Sequence, residues 1–473
     1  MTEALPFVSR KLFADIRFWI LLFFVIRIYG ITNPPLEFAH NWRQTTVTMV
    51  ARNFYETDSN IFYPRVDFAG EKSGITGMEF PLLNYMIYLV SLIFGYSHWY
   101  GRLINLLVSS IGTFFFYKIV RKYFQHETAF YSTLVLLSSI WFAYSRKIMP
   151  DTFSMSMVLI GFYYGTNYFD AGGKRFANLL LYFVFVLLGI LSKMPSGFIL
   201  VLFLLFLTNS KFDIKSKVLF SATTFLFLIP TVWWYFYWIP YLVEKYGFWH
   251  FFMGKDIASG IIEISQNMQE TLAHFYDYAL KYSGFLVFVL GIVMSILNKN
   301  KLLLFILFLS SLTFSIIMFK AGFTFSHHAY YVIPFVPVMA LSCGYGISKV
   351  ADNKIKLILI LTIVIEGILN QQHDFFIKQK NNAILSMEAD LDKFSGQNDL
   401  ILINSGNYPT PMYFAHHKGW IASNQQINNE QFIYSIKTKG CKFIVILKQS
   451  FGSDTDLKYS KIFDNEFYSI YKL

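Results

Sequence analysis

From residue 13 to about residue 370, apolar runs follow one another with only short interruptions, and then they stop. Such runs leave the backbone few options, because in hydrocarbon every N–H and C=O has to be paired within the segment, and a helix does that alone. The chain is therefore expected to form an all-α polytopic membrane domain over residues 1–370 and a small soluble domain over 371–473. A composition of 55% hydrophobic, 20% aromatic and only 15% charged residues points the same way. The net charge of +11 would suggest nucleic acid as the partner of a soluble protein. Here the basic residues fall mainly in short loops between apolar runs, so they read as topology signals; the lipid bilayer is the expected partner and nucleic acid is not.

About eleven spans are expected, over residues 13–31, 100–119, 127–145, 150–169, 176–192, 194–208, 217–239, 282–297, 301–319, 330–348 and 355–370. With the N-terminus inside, every alternate loop is basic: Arg10 and Lys11; Lys118, Arg121 and Lys122; Lys174 and Arg175; Lys211, Lys215 and Lys217; Lys299 and Lys301; Lys349, Lys354 and Lys356. The run PLLNYMIYLVSLIF, residues 81–94, is left out of the count. Its length makes roughly 21 Å of helix against a hydrocarbon core of about 30 Å. Counting it would break the alternation, so it is placed as an interfacial or re-entrant helix on the outer face. An odd number of spans puts the C-terminus outside. The first run follows Arg10, Lys11 and Arg17 without a small-residue cleavage site, which marks a retained signal anchor. No Asn-X-Ser/Thr acceptor occurs, and Ile, Phe, Lys and Asn are frequent, which leans towards a bacterial cytoplasmic membrane.

This topology collects the unusual residues on the outer face. Between the first span and residue 80 lie Glu37, His40, Arg43, Arg52, Arg65, Asp67, Glu71 and Glu79, a density of ionisable groups that a mostly apolar chain needs a reason to carry. The same face receives SRKIMPD with Arg146, Lys147 and Asp151, SKMPSG with Lys193, a long loop over 240–281, and HHAYY with His327, His328, Tyr330 and Tyr331. Cations on the normally less basic side are better explained by a phosphate than by idle snorkelling. His327 and His328 have no third ligand spaced nearby, so no metal site and no cofactor is expected, with assistance by a divalent ion left open. The cluster Trp233, Trp234, Tyr235, Tyr237 and Trp238 reads as an interfacial aromatic belt. In the tail, residues 399–405, 441–448 and 467–473 have strand character, giving a small extracytoplasmic α/β domain that serves as a lid or docking module. Cys343 lies in an apolar run and Cys441 in the tail, so a disulfide between them is not expected.

Carboxylates, histidine and cations on an outer face, with no Walker-type loop and no metal-ligand spacing, suit chemistry on a polyprenyl-phosphate-linked sugar. The leaving group is an acidic phosphate, so the site has only to supply cations for it and one base for the acceptor. At these residues the chain resembles a known superfamily. HNWRQTTVTMVARNFY, YPRVDFAG, GMEFPLLNYMIYLVSLIFG and WYGRLINLL are similar to the first extracytoplasmic loop of the glycosyltransferase-C superfamily, in the branch of the dolichyl-phosphate-mannose protein mannosyltransferases and the lipid A aminoarabinose transferases. The likeness continues through SRKIMPDTFSMSM, LSKMPSG and HHAYYVIPFVPVMAL to about residue 348.

The resemblance implies a glycosyltransferase-C type fold with outer-face interfacial helices and a first extracytoplasmic loop over 33–99. It also implies an integral-membrane enzyme of the hexosyl- or pentosyltransferase class. Such an enzyme moves one sugar, with inversion, from a polyprenyl-phosphate donor to an extracytoplasmic acceptor: protein, glycolipid or surface polysaccharide. Where those relatives carry an acidic pair at the head of the first loop helix, this chain reads His40-Asn41, with Arg43 kept. His40 is a competent base at neutral pH; otherwise Glu79, Asp67 or Glu37 reaches the acceptor hydroxyl. The expected catalytic residues are His40, Glu79 and Asp67. Arg43, Arg65, Arg146, Lys147, Asp151, Lys193, His327, His328 and Tyr331 are expected to bind the donor phosphate and substrate. Each has a plainer reading as well: Glu79 at a helix start is favoured by the helix dipole, and Asp151 after Pro150 suits a cap or a pair with Arg146 or Lys147. Two other functions fit parts of the pattern. A polymerase or ligase of lipid-linked glycans would use the same face, whereas a transporter or flippase would place its polar residues at the midplane and is further supported by internal repeats, none of which is apparent.

Overall fold

The computed structural model describes residues 12–248 and 254–473, so Arg10 and Lys11 lie outside the described residues. The helices used below are, in chain order, α1 (Ile16–Ile28), α2 (Asn41–Glu56), α3 (Leu82–Phe94), α4 (Tyr100–Tyr123), α5 (His126–Ser138), α6 (Pro150–Asp170), α7 (Phe176–Ser192), α8 (Met194–Leu207), α9 (Ile214–Val232), α10 (Lys281–Leu297), α11 (Lys301–Ala321), α12 (Val336–Lys349), α13 (Asn353–Gln371), α14 (Met387–Leu391) and α15 (Thr410–Ala415). Helix covers each of the eleven apolar runs. Among the described residues, five helices are long and apolar enough to cross a membrane, or six if the pair Met268–Ala279 and Lys281–Leu297, bent by 95°, is one span. The chain divides into two compact units.

Among the described residues, 12–31, 102–234 and 254–373 form the first unit, which is helical. Several of its helices begin where the sequence supplies an acceptor for the orphan N–H groups of the first turn. Asp15 accepts from the Arg17 backbone N–H at 2.9 Å, and Asp213, Asn300 and Asp352 cap α9, α11 and α13 in the same manner. α6 opens on Pro150, whose missing N–H costs nothing at that position. The helices pack through aromatic and aliphatic side chains into one large core, and small residues set the closest approaches. A Cβ added to Gly291 of α10 would stand 2.0 Å from the carbonyl oxygen of Ser342 on α12, so that crossing requires glycine.

The second unit gathers residues 32–101, 235–251 and 374–473. Its five-stranded sheet has the order β2-β1-β3-β5-β4, where β1 is Leu400–Ile403, β2 Gly419–Ile421, β3 Cys441–Leu447, β4 Ser460–Asp464 and β5 Tyr468–Lys472. β1 runs parallel to β2 and β3, and β5 runs antiparallel to β3 and β4. The three strands expected in the tail are β1, β3 and β5. β2 is only three residues long and β4 is largely exposed, so neither carries the apolar run that marks a strand. The polar-rich first loop is part of this unit's core: Met49, Val50 and Phe54 of α2 pack with Ile401, Ile403, Val445 and Ile470 of the sheet. The loop backbone also extends the sheet edge, Gly70 N donating to Gly419 O at 2.7 Å and Gly419 N to Asp67 O at 2.9 Å. The tail thus shares one compact unit with residues 32–101. α3 occupies the run set aside from the span count, burying Leu83, Asn84, Ile87 and Ser91 and exposing Leu89, Leu92, Ile93 and Phe94.

Candidate active site

In the second unit Arg43 and Arg52 of α2 hold two carboxylates of the loop, Glu79 and Asp67. This helix is buried without a break from Arg43 to Phe54, although its sequence is mostly polar. Burial of polar groups is tolerable when they are paired, and Arg43, Arg52 and Asn53 each find a carboxylate. Arg43 forms a buried ion pair with Glu79. About two and a half turns further on, Arg52 donates to Asp67 Oδ2 at 2.9 Å and to the Tyr413 carbonyl at 3.0 Å, while its guanidinium lies 4.6 Å from the centre of the Tyr413 ring. Asn53 donates to Asp67 Oδ1 at 2.7 Å, so both oxygens of Asp67 are engaged. Arg65 pairs with Asp58 at 2.8 Å in a more open position. Glu37 is buried, and its backbone bridges Ile377.

His40 stands immediately before α2 in the left-handed region, with φ 58°. A non-glycine residue held there is uncommon, and such outliers gather where function fixes the backbone. At the far end of α2, His416, also left-handed, bridges two carboxylates: Nδ1 lies 2.5 Å from Glu388 of α14 and Nε2 2.9 Å from Glu56. The two carboxylates raise the imidazole pKa to about 9. No feature of the sequence around His416 marked it, because its partners lie 28 and 360 residues away.

A different cluster occupies one end of the first unit. Asp151, in the first turn of α6, pairs with Lys193 at 3.0 Å. Its other oxygen is buried without a hydrogen-bond partner among the described residues. The Lys193 ammonium lies 5.1 and 5.5 Å from the ring centres of Tyr330 and Tyr331, and His328 stacks on both rings. His327 instead stacks on Phe323, with centroids 3.7 Å apart, and lies on the exposed side. Arg146 and Lys147 are both buried, Arg146 donating to Gly30 O at 3.0 Å. Their segment is pinned from beneath by Asn105, whose side chain donates to the carbonyls of Tyr144, Lys147 and Met149 at 3.1, 2.8 and 3.3 Å. Arg27 donates to Ser145 Oγ at 2.5 Å and to Phe23 O at 2.9 Å. Arg27 and Asn105 were not singled out from sequence, although a charge inside the apolar run 13–31 was the available signal. Among the described residues no group of three or more His, Cys, Asp or Glu side chains is arranged to hold a metal ion.

The fold is shared with solved structures of ArnT and of an archaeal oligosaccharyltransferase, and at identities of 10% and 13% the likeness is one of fold. More particularly, residues 79–235 match the sequence model of the family described as dolichyl-phosphate-mannose-protein mannosyltransferase. The structure is similar to that of ArnT from Cupriavidus metallidurans in the apo state, with a TM-score of 0.58 at 10% identity, covering 96% of this chain and 97% of that one. ArnT bound to undecaprenyl phosphate gives 0.57 at 9% identity, over 96% and 98% of the two chains. The oligosaccharyltransferase of Archaeoglobus fulgidus, in complex with zinc and sulfate, gives 0.60 at 14% identity over 90% of this chain and 67% of that one. By sequence alone no curated protein matches.

Proposed function

We propose that the protein is an integral-membrane glycosyltransferase that moves a single sugar from a polyprenyl-phosphate donor to an extracytoplasmic acceptor with inversion. The observation that carries this reading is the gathering of Arg146, Lys147 and Lys193 at one end of the helical unit, two of them wholly buried. Cations gathered at one end of the unit suit a phosphodiester, which they can hold through charge-assisted hydrogen bonds. The match to the mannosyltransferase family over residues 79–235 and the likeness to ArnT, whose structure was obtained with undecaprenyl phosphate, support the same donor class.

In this reading the acceptor oxygen forms its bond to the sugar's anomeric carbon as the bond from that carbon to the phosphate oxygen breaks. The polyprenyl phosphate leaves with the electron pair and needs no proton. Arg146, Lys147 and Lys193 stabilise the charge that develops on it, Asp151 orients Lys193, and Tyr331 and His328 line the approach of the sugar. The acceptor proton goes to a base. Glu79 is favoured over Asp67, because Asp67 is held at both oxygens by Arg52 and Asn53. His40 is the second candidate, with Arg43 fixing Glu79, and Arg65 and His327 contacting the acceptor. The spans number eleven, the working face and the C-terminus lie outside a bacterial cytoplasmic membrane, and residues 371–473 form the extracytoplasmic end of the chain.

The test is transfer in proteoliposomes from a radiolabelled polyprenyl-phosphate sugar. A labelled product carrying one sugar, of opposite anomeric configuration to the donor, is expected. A ladder of products would indicate a polymerase of lipid-linked glycans, and movement of the labelled lipid between leaflets without product a flippase.

A further inference from the structure

Within the first unit, a cavity of about 280 Å³ lies at the end of the helices opposite to Asp151. It reaches Asp170, the last residue of α6, whereas Asp151 stands in that helix's first turn. At 1.5 Å per residue the 21 residues of α6 put the two ends roughly 30 Å apart, about the thickness of a hydrocarbon core. Phe116, Phe162, Leu202, Phe206, Ile306 and Val338 wall the cavity, and Asp170 and Asn209 bring polar side chains to it.

Walls of this kind select hydrocarbon. A polar ligand entering would lose its hydration with almost nothing to replace it, whereas each methylene taken from water is favourable. An unfilled cavity of this volume forfeits packing on every wall. The charges at this end specify what the hydrocarbon is attached to. Lys122 of α4 pairs with Asp170 and donates to Thr166 Oγ1 at 3.2 Å and Asn167 Oδ1 at 2.9 Å. The walling elements also present exposed cations at this end: Arg121 on α4, Lys174 just beyond α6, Lys211 just beyond α8 and Lys301 at the start of α11. A phosphate held among them would stand at the membrane surface with its chain leading inward.

We infer that this cavity is a binding site for an acyl chain of an anionic phospholipid, its phosphate held by Lys122, Arg121 and the neighbouring basic residues. The site is separate from the one assigned to the donor and stands whether or not the protein is a transferase.

The experiment uses the full chain in phosphatidylcholine vesicles doped with phosphatidylglycerol that carries a photoactivatable group in one acyl chain. Cross-links mapped by mass spectrometry are expected on the lining residues of α4 and α8. Unlabelled phosphatidylglycerol should compete at least about tenfold better than phosphatidylcholine, in keeping with two or more surface cations. Leu205→Trp and Val338→Phe, which fill the cavity from two sides, should each abolish those cross-links. Arg121→Gln with Lys122→Gln should leave the cross-links but remove the preference between headgroups. Equal competition by phosphatidylcholine would reduce the site to ordinary boundary lipid and overturn the inference. So would competition by polyprenyl phosphate where phosphatidylglycerol fails, because the cavity would then serve the donor's tail. If the filling variants do not fold, the competition on the unaltered chain decides alone.

Discussion

Glu79 and Arg43 sit 36 residues apart in sequence and meet as a buried pair, so a cation offsets the burial of that carboxylate. A carboxylate held in this way is oriented before any acceptor arrives. Glu79→Gln should lower turnover by at least about a hundredfold with the fold intact, the usual cost of losing a general base. His40→Ala should be comparably damaging if the role is shared. Both are checked by initial rates at saturating donor, and wild-type rates in both variants would move the base to Asp67 or Glu37. The residue types were legible beforehand because ionisable groups stand out in an apolar chain. Their partners were not: nothing local says that Arg52 belongs to Asp67 while Arg43 belongs to Glu79, since that choice is made by the turn at residues 57–66 and by the packing of α2.

At the scale of elements, α2 is tied at its far end to α14 and α15 by His416. Each carboxylate favours the charged ring, so the folded unit holds this proton more tightly than the unfolded chain, up to about pH 9 against an ordinary value of 6.5. The contribution to stability is therefore complete below about pH 6.5 and is lost as the pH rises through 9. With the ring partly exposed, solvent screening leaves about 1–2 kcal/mol of it. Arg52, which lies near enough to oppose the charge, keeps its own proton throughout the range. Hydrogen exchange of α2 at pH 6 and pH 9.5 should show protection falling in the native protein and changing much less in His416→Gln. Equal losses in both would remove the clamp from the account. Among the elements, the eleven apolar runs and three of the five strands could be read directly from hydropathy. β2 and β4 could not, because β2 is short and β4 is a solvated edge whose side chains look like loop.

For the whole molecule the expected sidedness can be tested, but not through the native tail cysteine. Cys441 is buried in β3, and burial pushes its thiol up to about 12, so it reacts poorly wherever it lies. Lys458 has a nearly fully exposed side chain. A membrane-impermeant maleimide should label Lys458→Cys in intact cells, and labelling only after permeabilisation would reverse the topology. The donor reading belongs to this scale too, because Arg146 and Lys147 come from the turn before α6 and Lys193 from the end of α7. Lys193→Met and Arg146→Met should each weaken binding of polyprenyl phosphate by about ten- to a hundredfold, the worth of one charge-assisted contact, whichever sugar the lipid carries. Unchanged affinity in both would leave these charges structural. The sequence pattern foresaw a membrane domain followed by a separate tail, and missed that the polar loop and the tail share one compact unit. Hydropathy reports what leaves water; it carries no record of which distant polar segments will pack together.

That sharing has a consequence in time. The second unit needs residues 32–101 and also 374–473, so its first stretch leaves the ribosome some 270 residues before its last begins. At the usual pace of synthesis that is roughly 14 to 55 s. Throughout that interval α2, with its buried arginines, has no sheet to pack on, and Asp67 and Gly70 have no β2 to join. The segment that holds the candidate base is thus made early and finished late. A cell that makes this protein must shelter a half-built polar segment for most of the chain's manufacture, and chains stalled before residue 400 should be cut by protease within residues 41–70, where completed chains are spared.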